Sequence, residues 1–213
     1  PPALTAPSAR TSGAYAAAFC SAIAIRPSAP ATVNLPVTGF SGGALGDLTL
    51  QDFRVTGTTG GNADGIRVTG VNFVRIDSVT VDNLGGAGIV VNGTTTAITS
   101  GEATNVAIDT VGGDGIRVLN AIGIAIDGVS INAAGRDGVR VQANGGAGSA
   151  SATIENAIIT DAGENGVNII AGAGFTGSVA FQGITTLTHA VAGAFNAVRA
   201  HGQGASFTLP TLD

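Results

Sequence analysis

Three times in this chain a carboxylate stands three residues before a guanidinium: Asp64 and Arg67, Asp114 and Arg117, Asp137 and Arg140. An Arg side chain presents a planar fork of N–H donors that fits a carboxylate or a pair of hydroxyls. A surface carrying several such forks would suit an acidic or hydroxyl-rich polysaccharide. Arg117, Arg140, Asp114 and Asp137 are therefore the candidate binding residues, because their phrases stand in consecutive units of a repeat. The same residues have a plainer use. In Asp-Gly the Asx side chain caps the turn backbone and the glycine supplies positive φ, and an exposed Arg/Asp ladder is a row of ion pairs each worth less than about 1 kcal/mol. Turn formation is the preferred reading for the three Asp residues.

Catalysis has less to work with. Glycoside hydrolysis needs two carboxyl groups in different protonation states, and no two Asp are adjacent in the sequence. His189 falls at a corner of the last repeat and is expected as an exposed turn side chain rather than a base. One Cys with two distant His does not make a usual zinc site. Gly112-Gly113-Asp114-Gly115 is similar to calcium-binding nonapeptide repeats, but nothing recurs at nine residues. No catalytic residue, metal or cofactor is assigned.

Composition narrows the class. With 44% hydrophobic and 11% charged residues the chain is the reverse of a disordered one. Its 34 Gly keep no three-residue period, which excludes collagen. A net charge of -5, with nine scattered cations that are all Arg, leaves no basic stripe for a nucleic acid. No eighteen-residue window is free of polar or Gly interruptions, so no membrane span is expected. Low charge, the absence of Met and abundant Thr, Ala, Gly and Asn are expected of an exported bacterial protein, extracellular or on the cell surface. The chain begins Pro1-Pro2, as a mature form or a fragment would, and Cys20 has no partner for an internal disulfide.

A repeat positions the Asp and Arg phrases. Gly, then Ile or Val, any residue and a second aliphatic recur at Gly65-Ile66-Arg67-Val68, Gly88-Ile89-Val90-Val91, Gly115-Ile116-Arg117-Val118, Gly138-Val139-Arg140-Val141 and Gly166-Val167-Asn168-Ile169, with a degenerate copy from Gly193. These glycines lie 23 to 28 residues apart. In step with them runs apolar, polar, any, apolar, any, apolar, as in Ile76-Asp77-Ser78-Val79-Thr80-Val81 and Ile126-Asp127-Gly128-Val129-Ser130-Ile131. The alternation and the β-branched apolar slots predict strands, and glycine every few residues argues against helix. Short strands in a unit of about 25 residues make one coil of a solenoid. Leucine-rich repeats are excluded by their missing signature, which leaves a parallel β-helix with coils about 4.8 Å apart.

Asn72-Phe73-Val74-Arg75-Ile76-Asp77-Ser78-Val79-Thr80-Val81 and Asn105-Val106-Ala107-Ile108-Asp109 resemble the coil repeat of the right-handed, pectin-lyase-like parallel β-helices, over roughly Leu48 to Val198. The resemblance implies an all-β, single-stranded right-handed parallel β-helix of about six to seven coils. Residues 1–45 are expected as N-terminal cap and lead-in, 46–200 as coils and 201–213 as a C-terminal tail or cap. That superfamily includes polysaccharide lyases and hydrolases, phage tailspikes, adhesin passengers and structural proteins, so the fold names no reaction. Its lyases are expected to show an acidic Ca²⁺-holding cluster beside a basic residue, and its hydrolases paired Asp with a Gly-His-Gly element. The nearest element here, Ala200-His201-Gly202-Gln203-Gly204, lies beyond the last clear coil.

Extra residues at Asn92 to Thr104, Gln142 to Ser151 and Ala171 to Ser178 fall at one corner of successive coils, the edge where a binding surface would form. They contain no aromatic except Phe175. A parallel solenoid also exposes strand edges at both ends. Ser12 to Ile25 reads as an amphipathic or buried cap, with a short helix as one form of it, and Ala205 to Asp213 as a final irregular strand. The expected role is that of a structural or adhesive β-solenoid, joined through its ends to itself or to neighbouring subunits. The alternative is a polysaccharide-binding or polysaccharide-degrading β-helix using the Arg/Asp face.

Overall fold

The computed structural model describes residues 22–25, 31–33, 40–57, 59–94, 98–145, 148–190 and 195–209, with side chains from Asp47 onward. Among them there is no helix. The strands stack as a parallel β-solenoid of about six turns.

Each coil contributes to three columns of strands. The first column holds the start of β5 (Ile66–Asp77), then β7 (Ile89–Asn92), β10 (Ile116–Leu119), β13 (Val139–Ala143), β16 (Asn165–Ala171) and β19 (Asn196–His201). The second runs from β1 (Ala22–Ile25) and β3 (Phe40–Gln51) through the end of β5 to β8 (Ser100–Thr104), β11 (Ile124–Asp127), β14 (Ser149–Glu155), β17 (Thr176–Gln182) and β20 (Ala205–Thr208). β5 passes without a break from one column to the other, so the two form one 13-stranded sheet. The third column is a 7-stranded sheet of β2 (Ala31–Val33), β4 (Phe53–Thr56), β6 (Thr80–Leu84), β9 (Ala107–Val111), β12 (Ser130–Ala134), β15 (Ile158–Thr160) and β18 (Thr186–Thr188).

Alternation turns every second side chain inward, and register stacks these inward residues on one another. Val68, Val91, Val118 and Val141 are successive rungs of one such column, each no more than 3% exposed. Val81, Ile108, Ile131 and Ile159 form another. These columns meet in a single elongated core.

The second sequence phrase is a corner rather than one strand. Its third residue takes the left-handed conformation in six coils: Asp52, Ser78, Asn105, Gly128, Asn156 and Gly183 have φ between 48 and 61°. That residue swings the chain from the large sheet into the small one, and the next apolar residue points inward again. Ile76 and Val79 are both buried for this reason, three residues apart instead of two.

The repeat glycines correct another expectation. Gly65, Gly88, Gly115, Gly138 and Gly166 are absent from the positive-φ residues. Close approach is what requires them. A Cβ on Gly115 would stand 2.6 Å from both the Gly138 carbonyl oxygen and Ile131 Cγ2, and one on Gly88 would stand 2.7 Å from the Gly115 oxygen. Glycine here lets the corner of one coil sit on the next.

At the ends, β1 and β2 pair with β3 and β4, so the ladders reach into the segment expected as lead-in. Ala22–Ile25 is strand, and the rest of the expected Ser12 to Ile25 cap lies outside the described residues. β20 pairs with β17 in register, and Pro210 lies outside the described residues.

Candidate functional site

Register places Arg67, Val90, Arg117, Arg140, Asn168 and Arg199 in one outward row of the first column. Arg117 and Arg140 are direct neighbours in adjacent coils, as their spacing implied. One corner earlier stand Asp64, Asp114, Asp137 and Asn165. Asp114 and Asp137 are completely buried and Asn165 is 1% exposed.

Each carboxylate bonds along the solenoid axis. The Ala87 amide donates to Asp64 Oδ1 at 2.9 Å, and the Asp137 amide to Asp114 Oδ1 at 3.3 Å. The second oxygen takes the Arg three residues on. Arg117 Nε donates to Asp114 Oδ2 at 2.6 Å, and Arg67 Nε to Asp64 Oδ2 at 2.9 Å. Such bonds satisfy a buried carboxylate that would otherwise be costly.

Asp137 breaks the pattern. Asn165 Nδ2 donates to its Oδ1 at 2.6 Å and Asn168 Nδ2 to its Oδ2 at 2.8 Å, both from the next coil. Among the described residues Arg140 then has no acidic partner: its Nε is buried and unbonded, and so is Asn168 Oδ1. The expected alternating ladder of Asp/Arg pairs therefore fails at its third rung, where an amide from the following coil occupies the guanidinium's place. Burial pushes the Asp137 carboxyl above its ordinary value, and the charges of Asp114 and Glu164 add to this against the two Asn donors.

Two other acids, which the sequence did not single out, stitch coils together. Asp77 Oδ1 accepts from Ser78 Oγ and Thr104 Oγ1 at 3.1 Å and from Asn105 Nδ2 at 3.3 Å, while Gln51 Nε2 of the preceding coil donates to Oδ2 at 3.3 Å. Burial alone would raise the Asp77 carboxyl, but the Asn105, Thr104 and Ser78 bonds and the Arg75 charge hold it below its ordinary value. Asp82 receives Arg54 Nε at 2.6 Å across one coil. Burial opposes a lowering there too, and is outweighed by Thr56 and Arg54. The available signal was their place in the repeat: Asp77 fills the polar slot of the corner phrase.

His189 corrects an expectation. Its side chain is 13% exposed, not an exposed turn group, and its ring stacks on Phe195 with centroids 4.6 Å apart. Phe195 in turn packs on the core. His201 lies at the end of β19, remote in register from Asp114 and Asp137. Among the described residues no three His, Cys, Asp or Glu side chains cluster as a metal site, and no helix is long and apolar enough to cross a membrane.

The segments expected as loops do fall between the first and second columns, but much of each is strand, because Ser100–Thr104 is β8 and β14 and β17 begin at Ser149 and Thr176; residues 95–97 and 146–147 lie outside the described residues, and Phe175 packs against the core. The chain matches no protein-family model, no curated protein and no solved structure.

Proposed function

We propose that this chain is a structural or adhesive rod of the bacterial exterior, built on the plan that the pectin-lyase-like resemblance suggests. The observation that carries the reading is the use made of the candidate site. Asp114 joins its own coil to Arg117 and the next coil through the Asp137 amide, and Asp137 is held by two Asn of the following coil. Charged groups so engaged hold the coils in register and are not presented to a substrate. Low charge and a composition without Met or Lys support export.

One observation favours a second reading, in which the Arg face binds polysaccharide. Arg140 and its row neighbour Arg199 flank Asn168, and Arg140 Nε lacks an acceptor. Incubation with acidic and neutral glycans separates the two. A structural rod leaves chain length unchanged and shows no retention on immobilised polyuronate. Cleavage or retention abolished by Arg140→Ala would establish the second reading. Antibody labelling of intact against lysed source cells tests the location.

A further inference from the structure

Asparagine is followed by glycine at three places, Asn92-Gly93, Asn144-Gly145 and Asn165-Gly166. Glycine has no side chain to shield its amide nitrogen, so this pair is where an asparagine side chain most readily closes on its own backbone. The local sequence makes the three alike, and the fold makes them different. Asn165 is 1% exposed and both ends of its amide are held: Nδ2 donates to Asp137 Oδ1 at 2.6 Å, and Oδ1 accepts from Asn196 Nδ2 at 2.9 Å. Asn92 is half-buried; its Oδ1 accepts from the Thr94 amide at 2.9 Å, and the Gly93 amide donates to the Leu119 carbonyl at 2.8 Å. Neighbouring coils press on both glycines. A Cβ on Gly93 would stand 2.2 Å from the Asn120 carbonyl oxygen, and one on Gly166 2.7 Å from that of Ala197.

Asn144 differs on each count. It is exposed, at the corner that follows β13, and among the described residues a Cβ on Gly145 would meet nothing nearer than Asn120 Nδ2 at 3.9 Å. One buried side chain holds the pair. Asn120, 1% exposed, accepts the Asn144 amide at 2.9 Å and the Gly145 amide at 3.2 Å on its Oδ1. Its Nδ2 donates to Thr94 Oγ1 of the preceding coil at 2.8 Å and reaches Asn144 Oδ1 at 3.5 Å. A single amide group thus touches both partners of a ring closure, the nitrogen that would attack and the oxygen that would take up charge. The Gly145 bond is longer than that of Gly93 and lies at an exposed corner, where local opening costs least.

We propose that Asn144-Gly145 is a self-modifying site, at which the folded chain converts asparagine to aspartate and isoaspartate and so loosens the Asn120 link between three coils. Gly145 N gives up its proton to solvent hydroxide and attacks Asn144 Cγ. The new C–N bond forms and ammonia leaves, which closes a succinimide. Water then opens the ring at either carbonyl. Water is consumed and ammonia released, with no oxidant or reductant. Opening toward isoaspartate routes the backbone through the side-chain methylene. That carries Gly145 N off Asn120 Oδ1 and sets a negative charge beside it. The site goes beyond the rod reading and does not depend on it.

Incubation of the folded protein in mildly alkaline buffer, followed by peptide fragmentation in the mass spectrometer, tests it. Conversion at Asn144 should run at least about tenfold faster than at Asn92 and Asn165. In guanidinium chloride the three should react at similar rates, because only the fold separates them. Methyl transfer by added isoaspartyl methyltransferase should label the converted Asn144 position. Gly145→Ala adds a methyl group where there is room for one, and should slow the conversion at least about tenfold with an unchanged melting curve. In the converted protein, hydrogen exchange of the Gly145 amide should rise about tenfold. Equal rates at the three sites in the folded protein, a comparison that needs no variant, would overturn the proposal. Aspartate without isoaspartate, the mark of direct hydrolysis, would overturn it too, as would a Gly145 amide that exchanges as slowly after conversion as before.

Discussion

Asn168, one coil beyond Asp137, donates its Nδ2 to Asp137 Oδ2 at 2.8 Å and so displaces Arg140 from the carboxylate that the repeat would have assigned to it. In the coil before, the equivalent oxygen of Asp114 takes Arg117 at 2.6 Å. Two corner acids of the same sequence pattern thus sit in opposite electrostatic surroundings, which makes them separable by mutation.

Asp137→Asn is expected to be neutral or stabilising at neutral pH. The new amide can accept from Asn165 and, once the Asn168 amide turns over, donate to the Asn168 Oδ1 that now lacks a partner. It also removes a buried charge. Asp114→Asn deprives Arg117 of its partner and should destabilise by about 2 kcal/mol. Urea unfolding of the two variants checks the contrast, and a loss of about 2 kcal/mol or more in Asp137→Asn would contradict it.

Acid titration should divide the carboxylates. Asp77 and Asp82 are held below the ordinary value in the folded chain. Their stabilisation is complete above the unfolded value of about 3.9 and fades as pH falls through the folded values. Asp137 is raised, so its contribution is complete below the unfolded value and is lost as pH rises through the folded one. As pH rises from below about 3.9 through the folded Asp137 value, the melting temperature should therefore gain more in Asp137→Asn than in the parent protein, whose Asp137 contribution is being lost over that interval.

Gly115→Ala should cost about 1–3 kcal/mol through overpacking, because its Cβ would meet the Gly138 carbonyl and Ile131 at 2.6 Å. Gly60, with nothing within 4 Å of a Cβ, is the control. Equal melting temperatures for Gly115→Ala and Gly60→Ala would contradict the close-approach explanation.

Thr110→Asn should stabilise by about 1 kcal/mol. Thr110 is β-branched at a φ of 54°, a conformation that costs most L residues about 1–2 kcal/mol and Asn less. Asn83 already occupies the matching corner one coil earlier, at φ 52°. Chemical denaturation measures the gain.

Much of the solenoid was legible because its two signals are local and repeated. Alternation sends Val68, Val91, Val118 and Val141 inward, and the 23-to-28-residue spacing stacks them. The corner was also written in the sequence, as the three-residue step from Ile76 to Val79, but it reads as strand when only alternation is sought. The role of Gly115 was misread because Asp-Gly is equally the pattern of a positive-φ turn, and only the neighbouring coil shows what the missing Cβ avoids. For Arg140 the deciding residue lies 28 positions away, in Asn168, and local spacing carries no trace of it.

A double-mutant cycle on Asp114 and Arg117 tests most directly whether the corner acids serve the coils. Equilibrium unfolding is measured for Asp114→Asn, Arg117→Ala and the pair. If the carboxylate and guanidinium act together as structure, each single variant loses about 2 kcal/mol and the double loses little more than either, a coupling above about 1 kcal/mol. Additive losses, or a parent protein stabilised by added polyuronate and singles that are not, would contradict the account.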